Sequence, residues 1–409
     1  MVSLTNLQFN PESPTTLHID INSCFATIEQ QANPLLRGKP VTVLAYLSPK
    51  ACILASSVEA KALGIKTGMR FFEAQKIFPS VVGLTPDVDK YRFVHTRLKK
   101  LLLEYSNHLQ SKSIDEFVLH LKNYPAQKEG LLSVSLEIKN RIKQEIGEWL
   151  TVSIGIGPNR FLAKTASNLK KPDGLEQITQ TNFLSVYSKL NLTDLCGINH
   201  ALSARLNSVG IFSVLDFYSA PLIQLKSAFK SVLAKYWYLR LRGWEIDDFS
   251  TPTKSFGHSF SPPHHPSSLS QLSPLLHKLI HKTFSRFYPK NYAVSGIGLA
   301  IVYQDRSFWH SSRVLPKPCF DPFSLYRYAF SLLLSSPQNP INTISFSCFN
   351  LSRRTSVQLE LFCSTNRSSQ IAFALNKVNR RFGTFSLTSA GMLSAKNMIP
   401  DRIGFGNKN

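Results

Sequence analysis

The chain has 409 residues, more than a single hydrophobic core normally supports, so several domains are expected. It carries 47 lysines and arginines against 25 aspartates and glutamates, a formal net charge of +22. Such a surplus favours a polyanionic partner, either nucleic acid or an anionic membrane surface. Because 43% of the residues are hydrophobic, the composition excludes a disordered basic tail and indicates a folded protein.

Apolar runs and cysteines indicate the cellular setting. Runs such as Val43–Leu47 end well short of the ~18 residues that cross a bilayer, so no membrane span is expected. The N terminus lacks the basic start and apolar stretch of an export signal. The six cysteines form no C-x-x-C pair, which argues against a zinc site and a disulfide framework. We expect free thiols and a cytoplasmic location.

The first part of the chain alternates strand and helix patterns. Strand patterns cover 16–20, 39–44, 52–55, 113–119 and 151–157, and helical patterns cover 25–28, 58–63, 91–109, 132–146 and 159–170. The resulting β-α-β-β-α-β order from Leu17 to Lys170, with an insertion after the first helix, predicts a ferredoxin-like sheet.

The remaining chain has a different character. A helical region at about 180–246 contains glycine turns at Gly197 and Gly210, which suit either phosphate contacts or ordinary helix connections. A Ser/Thr/Pro-rich linker is predicted over 247–263. The segment 252–362 mixes helices (272–287, 323–334) with strands (295–303, 344–349, 356–362). Its basic residues suit a polyanion: Lys254, Lys278, Lys282, Arg286, Lys290, Arg306, Arg313, Lys317, Arg327, Arg353 and Arg354.

Three carboxylates end or interrupt predicted strands, namely Asp20, Asp115 and Glu116. An adjacent acidic pair in a hairpin, with a third acid on a neighbouring strand, can chelate Mg²⁺ together with phosphate and water. A two-metal site of this kind activates an attacking oxygen and stabilises a leaving one. The alternative is that these acids are solvated turn residues.

The sequence resembles the Y-family (DinB/UmuC-type) translesion DNA polymerases. The resemblance extends over most of residues 15–175, where its motifs lie in family order: Leu17–Asn22, Asn33–Pro34, Arg37–Val41, Glu59–Met69, Ser113–Glu116, Ser153–Asn159, Leu162–Lys164 and Lys171–Gly174. Later motifs are similar to the family's last domain: Lys254–Gly257, Tyr303–Asp305 and Arg313–Pro316.

The resemblance implies an α+β multidomain fold. It comprises a ferredoxin-like palm (13–30 and 89–178), small α/β fingers (31–88), a helical, helix-hairpin-helix-like thumb (179–246), an α+β little finger (252–362) and a C-terminal tail (363–409). It also implies that Asp20, Asp115 and Glu116, with the backbone carbonyl of Ile21, hold two Mg²⁺ ions as the catalytic site.

Four residues are implied to bind the incoming nucleotide. Phe25 matches the steric gate that excludes a 2′-hydroxyl, although an aromatic at this place also suits a core. Lys171 matches the lysine that contacts the triphosphate, and its alternative role is to favour a helix C terminus. Ser57 and Lys61 fall in a segment closer to the UmuC-type version. Two departures from the family pattern are Cys24, beside the gate, and Val58.

Gln358, Leu359, Leu361 and Phe362 resemble the peptide with which UmuC-type polymerases bind the sliding clamp. Their alternation of apolar and polar residues is also typical of an edge strand. A different motif, Gly155-x-Gly157, is not a dinucleotide-binding fingerprint because Arg160 replaces its third glycine.

The predicted function is low-fidelity, template-directed translesion DNA synthesis. The expected partners are primer-template DNA, a deoxynucleoside triphosphate and a sliding clamp, and the expected state is a cytoplasmic monomer that works at the bacterial nucleoid. A catalytically inactive relative that binds DNA and clamp is the alternative, although such relatives lose the metal carboxylates. A nucleotide cyclase with a related palm would have no use for the basic C-terminal half.

Overall fold

The computed structural model describes residues 7–122, 124, 130–247, 253–353, 365–383, 385–396 and 398–399. The described residues divide into two compact units, the first ending at residue 247 and the second beginning at residue 253. No helix in the described ranges is long and apolar enough to cross a membrane. Among the described cysteines, Cys24, Cys52, Cys196, Cys319 and Cys348 are free thiols, as expected.

The first unit contains eight strands and eleven α-helices among its described residues. The strands are β1 Thr16–Ile21, β2 Val41–Leu44, β3 Ile53–Ser56, β4 Val82–Leu84, β5 Leu109–Ser111, β6 Glu116–His120, β7 Val152–Gly157 and β8 Leu175–Gln177. The helices are α1 Cys24–Ala32, α2 Val58–Ala62, α3 Phe71–Ile77, α4 Val88–Leu103, α5 Leu131–Glu145, α6 Arg160–Leu169, α7 Phe183–Tyr187, α8 His200–Asn207, α9 Val214–Ser219, α10 Leu222–Phe229 and α11 Leu233–Arg240.

A five-stranded sheet in the order β5-β6-β1-β7-β8 forms the centre of this unit. Strand β1 is antiparallel to both β6 and β7, and its apolar residues Leu17 and Ile19 are fully buried. With α4 and α5 as crossover helices, β1, β5, β6 and β7 form the predicted β-α-β-β-α-β unit. The order places Asp20 between two strands near the end of β1.

The insertion after α1 forms a smaller three-stranded sheet, in the order β3-β2-β4. Strands β2 and β4 are parallel, whereas β2 and β3 are antiparallel. A small separate core of residues such as Leu44, Ile53 and Ile65 holds this sheet to its helices.

Helix α4 is shorter than its sequence pattern, which predicted 91–109. It ends at Leu103, and Leu109 already belongs to β5. The hydroxyl of Ser106 accepts a hydrogen bond from the backbone N–H of His108 at 3.0 Å. Such a local serine turn competes with continuation of the helix. The predicted helix was too long because the apolar Leu109, a residue of β5, fits the spacing of the helical pattern.

Helices α7–α11 form a separate helical layer with its own aromatic core, and the N-terminal segment packs against it. The Phe9 ring stacks on Phe183 with centroids 4.1 Å apart. The buried guanidinium of Arg242 donates to the carbonyl oxygens of Leu7 at 2.8 Å and Tyr218 at 2.6 Å. Arg242 also lies 3.6 Å from the centroid of the Tyr238 ring. The first described residues therefore form part of the helical layer.

The second unit has a four-stranded sheet in the order β11-β10-β12-β9. Its elements are β9 Ser255–Phe260, α12 Leu269–Phe287, β10 Tyr292–Tyr303, β11 Phe308–Cys319, α13 Pro322–Leu334, β12 Ile341–Arg353 and α14 Thr365–Phe382. Apolar residues of α12 and of β10 belong to one core, which includes Leu276, Phe287, Ile297 and Leu299.

Two strands of this sheet differ from the sequence prediction. The predicted linker over 247–263 contains β9, which pairs with β12 and buries Phe256 and Phe260. Because the segment is rich in serine, the pattern of apolar residues in β9 was not recognised as that of a strand. Strand β11 was not predicted because it lies at a sheet edge and exposes most of its residues. Its edge position also tolerates Pro316 and Pro318.

Part of the predicted C-terminal tail packs on α12. The ammonium groups of Lys278 and Lys282 are buried and donate to the carbonyl oxygens of Ala395 and Ile399, each at 3.0 Å. These two lysines were predicted among the polyanion-binding residues, but here they bind the protein's own backbone. The sequence-predicted clamp peptide, Gln358, Leu359, Leu361 and Phe362, lies outside the described residues.

Candidate active site

The three predicted acidic residues meet across two adjacent strands. Asp20 of β1 pairs in register with Glu116 of β6. The backbone N–H of Ile21 donates to the carbonyl oxygen of Asp115 at 3.0 Å, which continues this pairing past the end of β6. Asp20 and Asp115, which are 95 positions apart in the sequence, are thus neighbours in the sheet.

A cavity of about 570 Å³ opens beside these carboxylates. Asp20 and Asp115 line it together with the predicted nucleotide-binding residues Phe25, Lys61 and Lys171. The two departures from the family pattern, Cys24 and Val58, line the same cavity. One space therefore contains acidic, basic and aromatic side chains in reach of a single ligand.

Each of two carboxylates is paired with a lysine. The Nζ atom of Lys171 lies 2.8 Å from Oδ2 of Asp20. The Nζ atom of Lys164 lies 2.7 Å and 2.8 Å from the two carboxylate oxygens of Glu116. The third acid, Asp115, accepts a hydrogen bond from the Ser113 hydroxyl. Lys164 lies in one of the family motifs, but its contact with Glu116 was not predicted.

The carboxylates also influence one another. Burial raises the pKa of Asp20 above its ordinary value, and the charges of Glu116 and Asp115 add to this rise, while Lys171 opposes it. A group of acids that repel one another at close range favours a bound cation.

Glycines in β7 bring Lys164 within reach of Glu116. A Cβ atom on Gly155 would lie 2.0 Å from the carbonyl oxygen of Ala163, and one on Gly157 would lie 2.5 Å from the Ala163 nitrogen. Helix α6 therefore rests directly on the strand, and Asn159 caps its first turn by accepting from the Leu162 N–H at 2.7 Å. The close approach explains the Gly155-x-Gly157 pair in structural terms.

Asn22 fixes the turn that carries Lys171. Its side-chain oxygen accepts from the backbone N–H of Asp173 at 2.8 Å, and its amide nitrogen donates to Ser153 Oγ at 2.9 Å. The carboxylate of Asp173 forms ion pairs with Lys139 at 2.9 Å and Lys143 at 3.0 Å. Sequence reasoning missed this role of Asn22, although its place two residues after Asp20 in the β1 motif was a signal.

His18 lies beneath the acidic group and was also missed. It is 2% exposed, and neither ring nitrogen has a hydrogen-bond partner among the described residues. Ligand atoms of His18, Asp20 and Glu116 lie within 4.8 Å of one another. Burial, helped by the charges of Lys164, Lys171 and Lys112, lowers the pKa of His18 to about 3, so the ring is neutral near pH 7.

Comparisons with known proteins agree on one family. The impB/mucB/samB family model matches residues 19–168, and the model of that family's C-terminal domain matches 253–361. A DNA polymerase IV of Pelotomaculum thermopropionicum is 29% identical over 94% of this chain and 97% of the relative. The DNA polymerase IV 1 of Bacillus subtilis is 27% identical over 91% of this chain and 92% of the relative.

A solved structure shows the same fold. A Y-family DNA polymerase chimera of Dbh and Dpo4 has a TM-score of 0.72 at 24% identity, and the match covers 83% of this chain and 99% of the chimera. The chain belongs to the Y family of DNA polymerases. It is of the DinB type, and by this membership it is a DNA-directed DNA polymerase. The resemblance and the α+β multidomain fold class predicted from the sequence are confirmed.

Y-family polymerases depend on metal ions, so the residues of this site are compared with the ligands that such ions prefer. Asp20, Asp115 and Glu116 offer carboxylate oxygens, and Ile21, whose carbonyl the resemblance implies as a further ligand, lines the cavity with Asp20 and Asp115. Carboxylate and carbonyl oxygens are the ligands that hard cations prefer, so these residues fit a divalent metal. The raised pKa of Asp20 points the same way, because burial first, and repulsion from Glu116 and Asp115 in addition, disfavour its charged form, which a bound cation would stabilise.

The sequence-predicted nucleotide residues of this Y-family polymerase differ in their surroundings. Phe25 is 4% exposed and stacks on Tyr91, with ring centroids 4.5 Å apart and planes 9° apart. Loss of hydration at the cavity wall and repulsion from Lys171 lower the pKa of Lys61. Ser57 is fully buried, and its hydroxyl accepts from the backbone N–H groups of Ala60 and Val41. Its hydroxyl is thus used as a helix cap, whereas the neighbouring Ser56 lines the cavity.

Proposed function

We propose that this polymerase copies DNA past damaged template bases by transferring a nucleotide from a deoxynucleoside triphosphate to a primer 3′-hydroxyl. The observation that supports this most directly is the shared cavity, where Asp20 and Asp115 stand beside Lys61, Lys171 and Phe25. Acidic groups suit metal ions, ammonium groups suit phosphates, and an aromatic face suits a sugar.

Asp20, Asp115 and Glu116, with the carbonyl of Ile21, are proposed to hold two Mg²⁺ ions. When bound, such ions activate the attacking oxygen and neutralise charge on the leaving pyrophosphate. The protein's contribution is placement: strand register holds Asp20 opposite Glu116, and Ser113 orients Asp115. Lys164 orients both oxygens of Glu116 from helix α6.

Lys171 and Lys61 are proposed to bind the triphosphate. The ammonium of Lys171 already lies at the cavity and exchanges its contact with Asp20 for a phosphate oxygen when nucleotide enters. Lys61 adds a second positive charge from α2, across the same cavity. Phe25, which lines this cavity, is proposed to exclude a 2′-hydroxyl from the sugar site. Ser57 takes part indirectly, by capping the helix that presents Lys61.

The proposed partners are primer-template DNA and a sliding clamp, and the proposed working state is a monomer at chromosomal DNA in the cytoplasm. Two similar structures of Dbh are titled an insertion ternary complex and a post-insertion binary complex. We propose the sequence-based division into palm, fingers, thumb, little finger and tail for this chain. The peptide Gln358, Leu359, Leu361 and Phe362 is proposed to bind the clamp.

Primer extension tests the proposal. Wild-type protein with Mg²⁺ is expected to extend a primer on an undamaged template and past an abasic site. Binding of the same primer-template without any extension on either template would instead support the inactive accessory protein. The cluster of three intact carboxylates, two of them held by lysines, argues for the enzyme.

A further inference from the structure

A buried polar network lies directly behind Phe25. The hydroxyl of Tyr91 donates to Oε1 of Glu29 at 2.8 Å, and the Nζ atom of Lys90 lies 2.6 Å from Oε2 of the same carboxylate. Tyr91 is fully buried and Glu29 is 7% exposed. Lys90 also lies 3.6 Å from Asp87, whose side chain caps the start of α4.

The network connects two helices to the aromatic ring at the cavity. Phe25 and Glu29 are one turn apart on α1, so they face the same neighbour. That neighbour is Tyr91 of α4, whose ring is stacked on Phe25 and whose hydroxyl is bound by Glu29. Phe25 can retreat from the cavity only if the Tyr91 ring moves, and Tyr91 can move only if its hydrogen bond breaks.

The network has one favourable arrangement. A buried carboxylate that loses a partner becomes an uncompensated buried charge, which is strongly unfavourable. Both oxygens of Glu29 have a donor here, and burial together with Glu29 raises the pKa of Tyr91 far above its ordinary value, so the hydroxyl keeps its proton. The Tyr91 ring is therefore held at a fixed distance behind Phe25.

We propose that Glu29 acts through Tyr91 to fix the depth of the Phe25 ring and so sets how strongly the site rejects ribonucleotides. Glu29 and Tyr91 are positioning residues, since neither is among the described residues that line the cavity. The inference rests on the proposed function and adds to it, because discrimination between sugars is assigned to a network rather than to one ring.

Steady-state incorporation of a single dNTP or the matching rNTP opposite one template base tests this inference. Tyr91→Phe keeps the ring and removes the hydroxyl, while Glu29→Gln keeps the shape and removes the charge. In each variant the ratio of kcat/KM for dNTP to that for rNTP is expected to fall about tenfold, as a lost hydrogen bond to a charged group would give. Incorporation of the dNTP itself should change much less.

The combination of Phe25→Ala with Tyr91→Phe distinguishes positioning from a general loss of structure. Phe25→Ala alone should lose most of the discrimination, and adding Tyr91→Phe should lower it no further, because both changes act on the same ring. Tyr105→Phe is the matched control. It removes a similar bond, from the Tyr105 hydroxyl to Glu137 at 2.7 Å, in the same hydrophobic core, and should leave the ratio unchanged.

The outcomes separate the inference from the proposed function. If Phe25→Ala loses discrimination while Tyr91→Phe and Glu29→Gln retain the wild-type ratio, the network does not position the ring and the inference is overturned. Additive losses in the double variant overturn it as well. If wild-type protein incorporates neither nucleotide, the polymerase proposal fails and the inference fails with it. A folding defect lowers both incorporation rates together and leaves their ratio in place.

Discussion

Lysines neutralise the acidic site at the level of single residues. Lys171 and Lys164 each bind one carboxylate, so the cluster is held together by the protein's own charges. Among the described contacts, Asp115 forms no ion pair with a lysine. Its carboxylate instead accepts a hydrogen bond from the neutral hydroxyl of Ser113. Asp115 is therefore the acid whose charge is least compensated by the protein, and it should respond most directly to a bound cation.

Asp115→Ala should abolish primer extension and leave DNA affinity nearly intact. Mutation of a residue that supports a metal ligand typically lowers metal affinity or activity 10- to 100-fold, so removal of a proposed direct ligand should lower kcat by more than about 100-fold. Single-turnover extension and a DNA-binding titration measure the two effects. Asp89→Asn, at an exposed position on α4, is the control. Wild-type rates in Asp115→Ala would remove Asp115 from the metal site.

At the scale of elements, the contact between α6 and β7 decides where Lys164 stands. The helix touches strand backbone at Gly155 and Gly157 without any side chain between them. Backbone cannot rotate away as a side chain can, so the spacing of this contact is narrowly fixed. The arrangement transmits any shift of α6 directly to Glu116 through Lys164.

Gly155→Ala should therefore destabilise the first unit and reduce activity together. The new Cβ would lie 2.0 Å from the Ala163 carbonyl oxygen and 2.1 Å from the Ser167 nitrogen, so α6 must move. Overpacking of this kind costs about 1–3 kcal/mol, which denaturant unfolding can measure.

Gly298→Ala is the matched control, because it also lies in a strand but its Cβ would meet the Ser347 hydroxyl at 2.9 Å, a movable side-chain atom. We expect a change within about 0.5 kcal/mol there. Equal effects at Gly155 and Gly298 would contradict the packing account.

The sequence predicted the elements whose side chains show a clear period. The alternation in β1 and the apolar stripe of α5 gave strands and helices close to those observed. It could not show β9, whose Phe256 and Phe260 stand among serines, or β11, which is mostly exposed. Asp20, Asp115 and Glu116 were found as acids that interrupt apolar strands. The roles of Asn22, His18 and Glu29 depend on contacts between distant segments, which periodicity does not reveal.

For the whole molecule, the structure shows where some of the basic residues behind the net charge of +22 lie. Lys278 and Lys282 are buried against backbone carbonyls, so they do not belong to a DNA-binding surface. Arg306 and Arg313 of the second unit remain exposed at or beside the edge strand β11. The charge available to a polyanion is therefore smaller than the sequence total, but it includes a sheet edge.

DNA binding by the full chain should weaken steeply with salt. Each neutralised phosphate contributes about 0.9 to the slope of log K against log salt for duplex DNA. Arg313→Gln should reduce that slope by about one if the side chain meets a phosphate. Fluorescence anisotropy at several salt concentrations gives the slope. Affinity that is independent of salt would exclude an electrostatic interface.

Replacing Leu361 and Phe362 with alanine should lower the length of DNA made per binding event only when a sliding clamp is present. The two side chains are proposed anchors in an apolar groove, and such anchors carry most of an interface's binding free energy. Product lengths with and without clamp provide the measurement. A loss of synthesis in the absence of clamp would point to a folding defect and contradict the docking role.

The attachment of the N-terminal segment to the helical layer affects how the chain can be shortened. Arg242 is 6% exposed, and it takes one of its acceptors from Leu7, which precedes the first strand. A protein expressed from residue 13 onward would keep every described strand and every proposed catalytic residue. It would nevertheless leave part of a buried guanidinium unsatisfied and remove Phe9 from its stack on Phe183. The sequence before the first strand therefore sets the shortest length at which the helical layer remains complete.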